Sequence, residues 1–96
     1  MVNAILKIDD WEGSCRVLMS ENKIDTSIWS RSEDDPLFKM LGDLYQENVV
    51  KPAHKEIKLI IEDEELVFPK AYLSKIVFGD YSDETDELEI ILEWYK

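Results

Sequence analysis

Cysteine is almost absent from this chain. Cys15 is the only one, so no intrachain disulfide can form, and the usage fits a reducing, cytosolic compartment. Glycine and proline number three each, too few for a linker or a low-complexity segment. Gly13, Gly42 and Gly79 also stand too far apart to build a phosphate-cradling loop. His54 is the only histidine and has no second histidine or cysteine at ligand spacing, which excludes the common zinc patterns. Basic residues are scarce. There are 11 Lys and Arg against 22 Asp and Glu, for a net charge of −11. That balance argues against direct binding to a nucleic-acid backbone or to an anionic membrane. No apolar run approaches a membrane-spanning length. The stretch from Met1 to Asp10 carries Lys7 and does not read as a signal peptide.

What is present is enough for a core. The 96 residues are 45% hydrophobic and read as one domain, 1–96. The clearest element is the last strand, placed over Asp86 to Tyr95. Leu88, Ile90, Leu92 and Trp94 alternate there with Glu89, Ile91, Glu93 and Tyr95, and side chains two apart share one face of a strand. The same period places strands at Val2 to Ile8, Ser14 to Met19 (Cys15, Val17 and Met19 inward) and Ile24 to Trp29. Asp9, Asp10 and Gly13 around Trp11 read as a turn region, and Ser20 to Lys23 as a hairpin connection.

Asp34-Asp35-Pro36 is a helix start: Asp35 caps the free N–H groups and Pro36 suits the first helical position. Leu37, Met40, Leu41, Leu44 and Tyr45 recur at helical spacing, which predicts a helix from Pro36 to about Glu47, with Lys51-Pro52 beyond it. A fourth strand runs from Lys55 to Glu62, with Ile57, Leu59 and Ile61 inward. Glu62 to Glu65 reads as a tight turn without the preferred glycine. The fifth strand, Leu66 to Phe78, is interrupted by Pro69, which marks an edge or a bulge. Gly79 to Glu87 reads as an acidic loop. The fold class is α+β, mainly antiparallel β, in the order βββ-α-βββ: a six-stranded barrel or two-sheet sandwich, with the helix packed on one opening.

No catalytic constellation emerges. The run Asp80, Asp83, Glu84, Asp86, Glu87 lacks the glycine and spacing of a calcium loop. Cys15 points inward without a partner base, and no serine sits in a nucleophile motif. The reading is a protein that is not an enzyme, with no cofactor and no metal. The aromatics carry more information. Trp11, Trp29, Trp94 and Tyr95 are a heavy load for this length, and they fit either core packing or a subunit interface.

Several segments in order resemble a known family. Ile5-Leu6-Lys7-Ile8-Asp9-Asp10-Trp11-Glu12-Gly13-Ser14 resembles the first strand of the haemolysin-coregulated proteins, which form the tube of type VI secretion systems. Ile24-Asp25-Thr26-Ser27-Ile28-Trp29-Ser30 resembles their second-strand pattern, and Asp35-Pro36-Leu37-Phe38 the start of their helix. The segments Leu66 to Ile76 and Glu87 to Tyr95 resemble the two closing strands of contractile phage tail-tube proteins. The resemblance implies a structural subunit whose copies assemble into a ring, usually a hexamer, around a channel. Its setting would be the cytoplasm before assembly, then a virion or an injection particle, with tail or baseplate proteins as further partners. Ser30 to Asp35 is shorter than that family's usual connection. A minimal tube subunit, a related baseplate or tail-completion component, and a stand-alone domain of the same fold therefore all stay open.

On this reading Trp29, Ile91, Tyr95 and Trp11 belong to the oligomer interface, and self-association rests on strand pairing and apolar area. Glu62, Asp63, Glu64, Glu65, Asp80, Asp83, Glu84 and Asp86 form an acidic face toward the channel or a partner. The competing reading is a small acidic inhibitor or immunity protein, steered by charge to a basic toxin or nucleic-acid enzyme, with Trp29 or Tyr81 as its central anchor.

Overall fold

The structure, a computed structural model, describes residues 1–31, 35–50 and 54–96, the side chains of residues 48–50 excepted. In chain order it contains β1 (Val2–Ile8), β2 (Trp11–Met19), β3 (Lys23–Ser30), α1 (Pro36–Val50), β4 (His54–Ile61), β5 (Glu64–Ser82) and β6 (Glu87–Tyr95). All neighbouring strands are antiparallel, and the sheet closes on itself in the order β1-β2-β3-β6-β5-β4. The barrel, not the sandwich, is the outcome.

Closure follows from β5. At about 3.3 Å per residue, its 19 residues would span about 60 Å if straight. The longest dimension of the molecule is 36 Å, so the strand must bend. It does so through three bulges, each with an extra residue on β5. Pro69 and Lys70 oppose Glu56, Ser74 lies between the pairs at Leu73 and Lys75, and Gly79 and Asp80 oppose Glu89. Pro69 thus sits where a missing N–H disturbs no ladder bond, as the sequence implied. The first half of β5 pairs with β4 and the second half with β6.

The alternation fills the interior. Leu6, Ile8, Val17, Ile24, Ile57, Leu59, Ala71, Leu73, Ile90, Leu92 and Trp94 are all buried in one cluster. Leu37, Leu41 and Leu44 of α1 join it. Because strands are paired all the way round, a helix reaches that interior only through an open end, so α1 closes an opening of the barrel. Asp35 starts the helix as the sequence requires: Oδ1 accepts from the Leu37 N–H at 2.9 Å, and Oδ2 accepts from the Ser30 hydroxyl at 3.3 Å. The helix continues to Val50, past the expected Glu47. Lys51 and Pro52 lie outside the described residues.

Among the described residues, the interior holds a polar pair. The Trp94 indole N–H donates to Thr26 Oγ1 at 3.2 Å, and the Thr26 hydroxyl donates to the Leu92 carbonyl at 3.4 Å; both side chains are fully buried. Cys15 is also buried, and desolvation pushes its thiol pKa up to about 11. Thiol reagents at pH 8 are therefore expected to leave the folded protein largely unmodified and to react fully once denaturant is added. Rapid labelling of the native chain would contradict this placement.

Several boundaries differ from the sequence reading. β2 begins at Trp11, because the β1–β2 connection is only Asp9 and Asp10, with Ile8 opposite Trp11. Met19 ends β2 exposed, outside the core. β5 extends through Ser82, so the expected loop from Gly79 shrinks to the four residues between Ser82 and Glu87. The β4–β5 turn is the two residues Glu62 and Asp63, with φ of 51° and 66°. Two successive left-handed residues are the type I′ hairpin pattern that asparagine and glycine fit best. A Glu62→Asn, Asp63→Gly variant is expected to gain about 1 kcal/mol in chemical denaturation. No gain would mean that the turn conformation is not the strained one.

Candidate interaction surfaces

Alternation that turns Ile90, Leu92 and Trp94 inward turns Glu89, Ile91, Glu93 and Tyr95 outward. The register then builds rows across β3, β6 and β5. Lys23, Tyr95 and Tyr72 form one row, and Asp25, Glu93 and Lys75 the next. Ser27, Ile91 and Val77 follow, with Arg16 of β2 beside Ser27, and then Trp29 beside Glu89.

This outer wall is well ordered by polar contacts. Lys23 Nζ lies 3.4 Å from Glu93 Oε1 and 5.2 Å from the centre of the Tyr95 ring. Hydrogen bonding to Tyr95 first, then the Glu93 charge, raises the Lys23 pKa above the ordinary lysine value. Tyr95 and Tyr72 rings meet at 6.4 Å between centroids. Glu89 accepts from the Ser27 hydroxyl at 2.7 Å and from the Asp80 N–H at 3.4 Å. Its carboxylate lies where a Cβ on Gly79 would stand, so the absent side chain makes room for it.

Trp29, Ile91 and Tyr95 thus share one wall. Trp29 is 41% exposed and Tyr95 is 39% exposed, while Ile91 is half-buried between Ser27 and Val77. Trp29 stands diagonally from Ile91, within reach of an aromatic ring. The rows hold three cations, Arg16, Lys23 and Lys75, and four carboxylates, Asp25, Glu89, Glu93 and, from the bulge opposite Glu89, Asp80. The wall comes within one charge of balance on a chain whose net charge is −11. Trp11 stands apart from it. That side chain starts β2, lies against Gly13 and packs on the core cluster.

The eight acidic residues fall in two hairpins. Glu62, Asp63, Glu64 and Glu65 belong to the hairpin at the start of β5, and Asp80, Asp83, Glu84 and Asp86 to the hairpin at its end. All are exposed. Tyr81 donates its hydroxyl to Asp86, which raises the phenol pKa above its ordinary value. Among the described residues, no three His, Cys, Asp or Glu side chains converge as metal ligands, and no helix is long and apolar enough to cross a membrane.

A second surface was not visible in the sequence. Phe38, Leu41, Gly42 and Tyr45 of α1 face Ile76 and Phe78 of β5 across an open groove of about 340 Å³. Phe78, Tyr45 and Tyr81 are 60%, 53% and 56% exposed. The sequence signal was Phe78 at the end of the expected fifth strand, followed by Tyr81 within the expected acidic loop.

No protein-family model matches the chain, no curated protein matches it, and no solved structure matches its fold.

Proposed function

We propose that this chain is a structural assembly subunit whose copies meet through the β3–β6–β5 outer wall and close into a ring, as in the tail-tube and injection-system proteins that its segments resemble. The observation that carries the reading is the wall itself. It groups Trp29, Ile91, Val77 and Tyr95 on a surface where three cations face four carboxylates. Identical copies of a chain at −11 repel, so a contact between them favours a region where the charge nearly cancels locally. Aromatic residues are also enriched at such contacts.

The expectation of strand pairing between copies needs correction. Every strand here has two paired neighbours, which leaves no whole strand edge for a neighbour to extend. Assembly on this reading runs through side-chain faces. A ring further requires that the wall meet a different surface of the next copy, because a self-complementary contact would stop at a dimer.

Oxidative footprinting across a dilution series tests the contact. Trp29, Ile91 and Tyr95 are expected to become protected as concentration rises, while Tyr45 and Tyr81 stay reactive. Equal reactivity of the wall residues at all concentrations would sink the reading.

A further inference from the structure

We infer that the groove between α1 and the second half of β5 is a docking site for a basic amphipathic segment of another protein. The inference does not depend on ring assembly, since it uses a different surface.

Three observations carry it. The groove is apolar and its rim is aromatic: Phe38, Leu41, Tyr45, Ile76 and Phe78 line it, and Tyr45 and Phe78 are more than half exposed. Its size falls within the about 300–1,000 Å³ of ligand-binding clefts. Next, Gly42 lies in its wall, in the interior of α1. A Cβ there would meet nothing within 4 Å, so no close packing requires glycine. An interior helical glycine costs about 1 kcal/mol relative to alanine. What its absent side chain does is keep the groove open.

Charge then selects the occupant. From Ile76 to Tyr95 the chain carries seven carboxylates and no lysine or arginine. Six of them, Asp80, Asp83, Glu84, Asp86, Glu87 and Glu89, belong to the β5–β6 hairpin that continues from Phe78. A second copy of the chain would bring the same acidic hairpin and net charge to this groove. A segment with apolar side chains on one face and lysine or arginine on the other satisfies both the apolar groove and the acidic hairpin that continues from Phe78. Groove recognition of an amphipathic helix works on this division of labour, and the charge would speed encounter.

The test uses three fluorescently labelled 18-residue peptides, read by anisotropy with the intact protein. One alternates leucine and lysine at helical spacing, one keeps the leucines and replaces lysine by glutamate, and one keeps the lysines and replaces leucine by serine. Binding of the first at least tenfold tighter than of the other two is expected. Gly42→Leu, which fills the groove from open space without entering the core, should weaken that binding at least tenfold while thermal stability holds or rises. Phe78→Ser should do likewise. Equal binding of the leucine-lysine and serine-lysine peptides, unchanged binding by Gly42→Leu, or no binding at all would overturn the proposal. So would a bound fraction that falls as the protein concentration rises, which would show a second copy as the occupant.

Discussion

Replacing Trp94 by alanine is expected to destabilise the barrel by about 3–5 kcal/mol, the largest effect of any single substitution considered for the core. Trp94 is fully buried at the end of β6, in the cluster that also holds Leu73, Ile24 and Leu92. Truncation would remove the largest side chain of the interior and leave a cavity that paired strands on every side cannot collapse into. It would also strip Thr26 of its indole partner. Small domains are stable by only about 5–15 kcal/mol, so this variant should be largely unfolded in mild denaturant.

The polar part can be separated from the packing part. Thr26→Val keeps the shape but leaves the Trp94 N–H without its acceptor, which should cost about 1–3 kcal/mol. In the Thr26→Val, Trp94→Phe double variant neither partner remains, and the total loss should fall short of the sum of the single losses. Urea melts of the four proteins give the comparison. Strict additivity would show that the hydrogen bond contributes nothing.

The second large effect concerns assembly. Ile91→Glu puts a carboxylate in the middle of the wall, between Ser27 and Val77. In a monomer the new charge faces water and the fold should survive, with circular dichroism unchanged. At a contact between copies it would be desolvated without a partner, and association should weaken by at least about a hundredfold. Val67→Glu is the matched control. Val67 is 48% exposed and sits opposite Lys58 on the other half of β5, away from the wall. It should leave association unchanged. Equal effects of the two substitutions would point to general charge repulsion instead of a specific surface.

Much of this architecture was legible because it rests on short-range rules. The alternation from Leu88 to Trp94 requires one dry face, and the interior supplies it. Asp35-Pro36 states a helix start, and Asp35 caps the Leu37 N–H. Pro69 cannot donate a ladder bond and falls at a bulge. Other features were hidden because no local rule encodes them. Glu62 and Asp63 adopt left-handed φ without glycine, since hairpin register and barrel closure outweigh the local preference. Gly79 and Asp80 read as loop residues because a bulge breaks the alternation that marks a strand.

The surfaces were only partly readable for the same reason. The outward face of β6 gave Ile91 and Tyr95 directly, and Trp29 joined them through the β3–β6 register. The groove needs residues of α1 and β5 that are more than thirty positions apart in sequence, and only the tertiary fold brings Gly42 and Phe78 together. Likewise, the acidic residues looked like one feature in composition. The length of β5 holds the two groups at separate hairpins.

The most direct test of the assembly reading is the solution mass by light scattering, measured over a concentration series at about 0.05 M and about 0.5 M salt. The higher salt screens exposed charges beyond a few ångströms. A mass several times the 11.3 kDa of one chain at both salts, and larger or tighter at the higher one, is the expected result, because screening removes the repulsion while the apolar contact remains. A single-chain mass at every concentration and both salts would contradict the account and leave the wall as an ordinary solvated face.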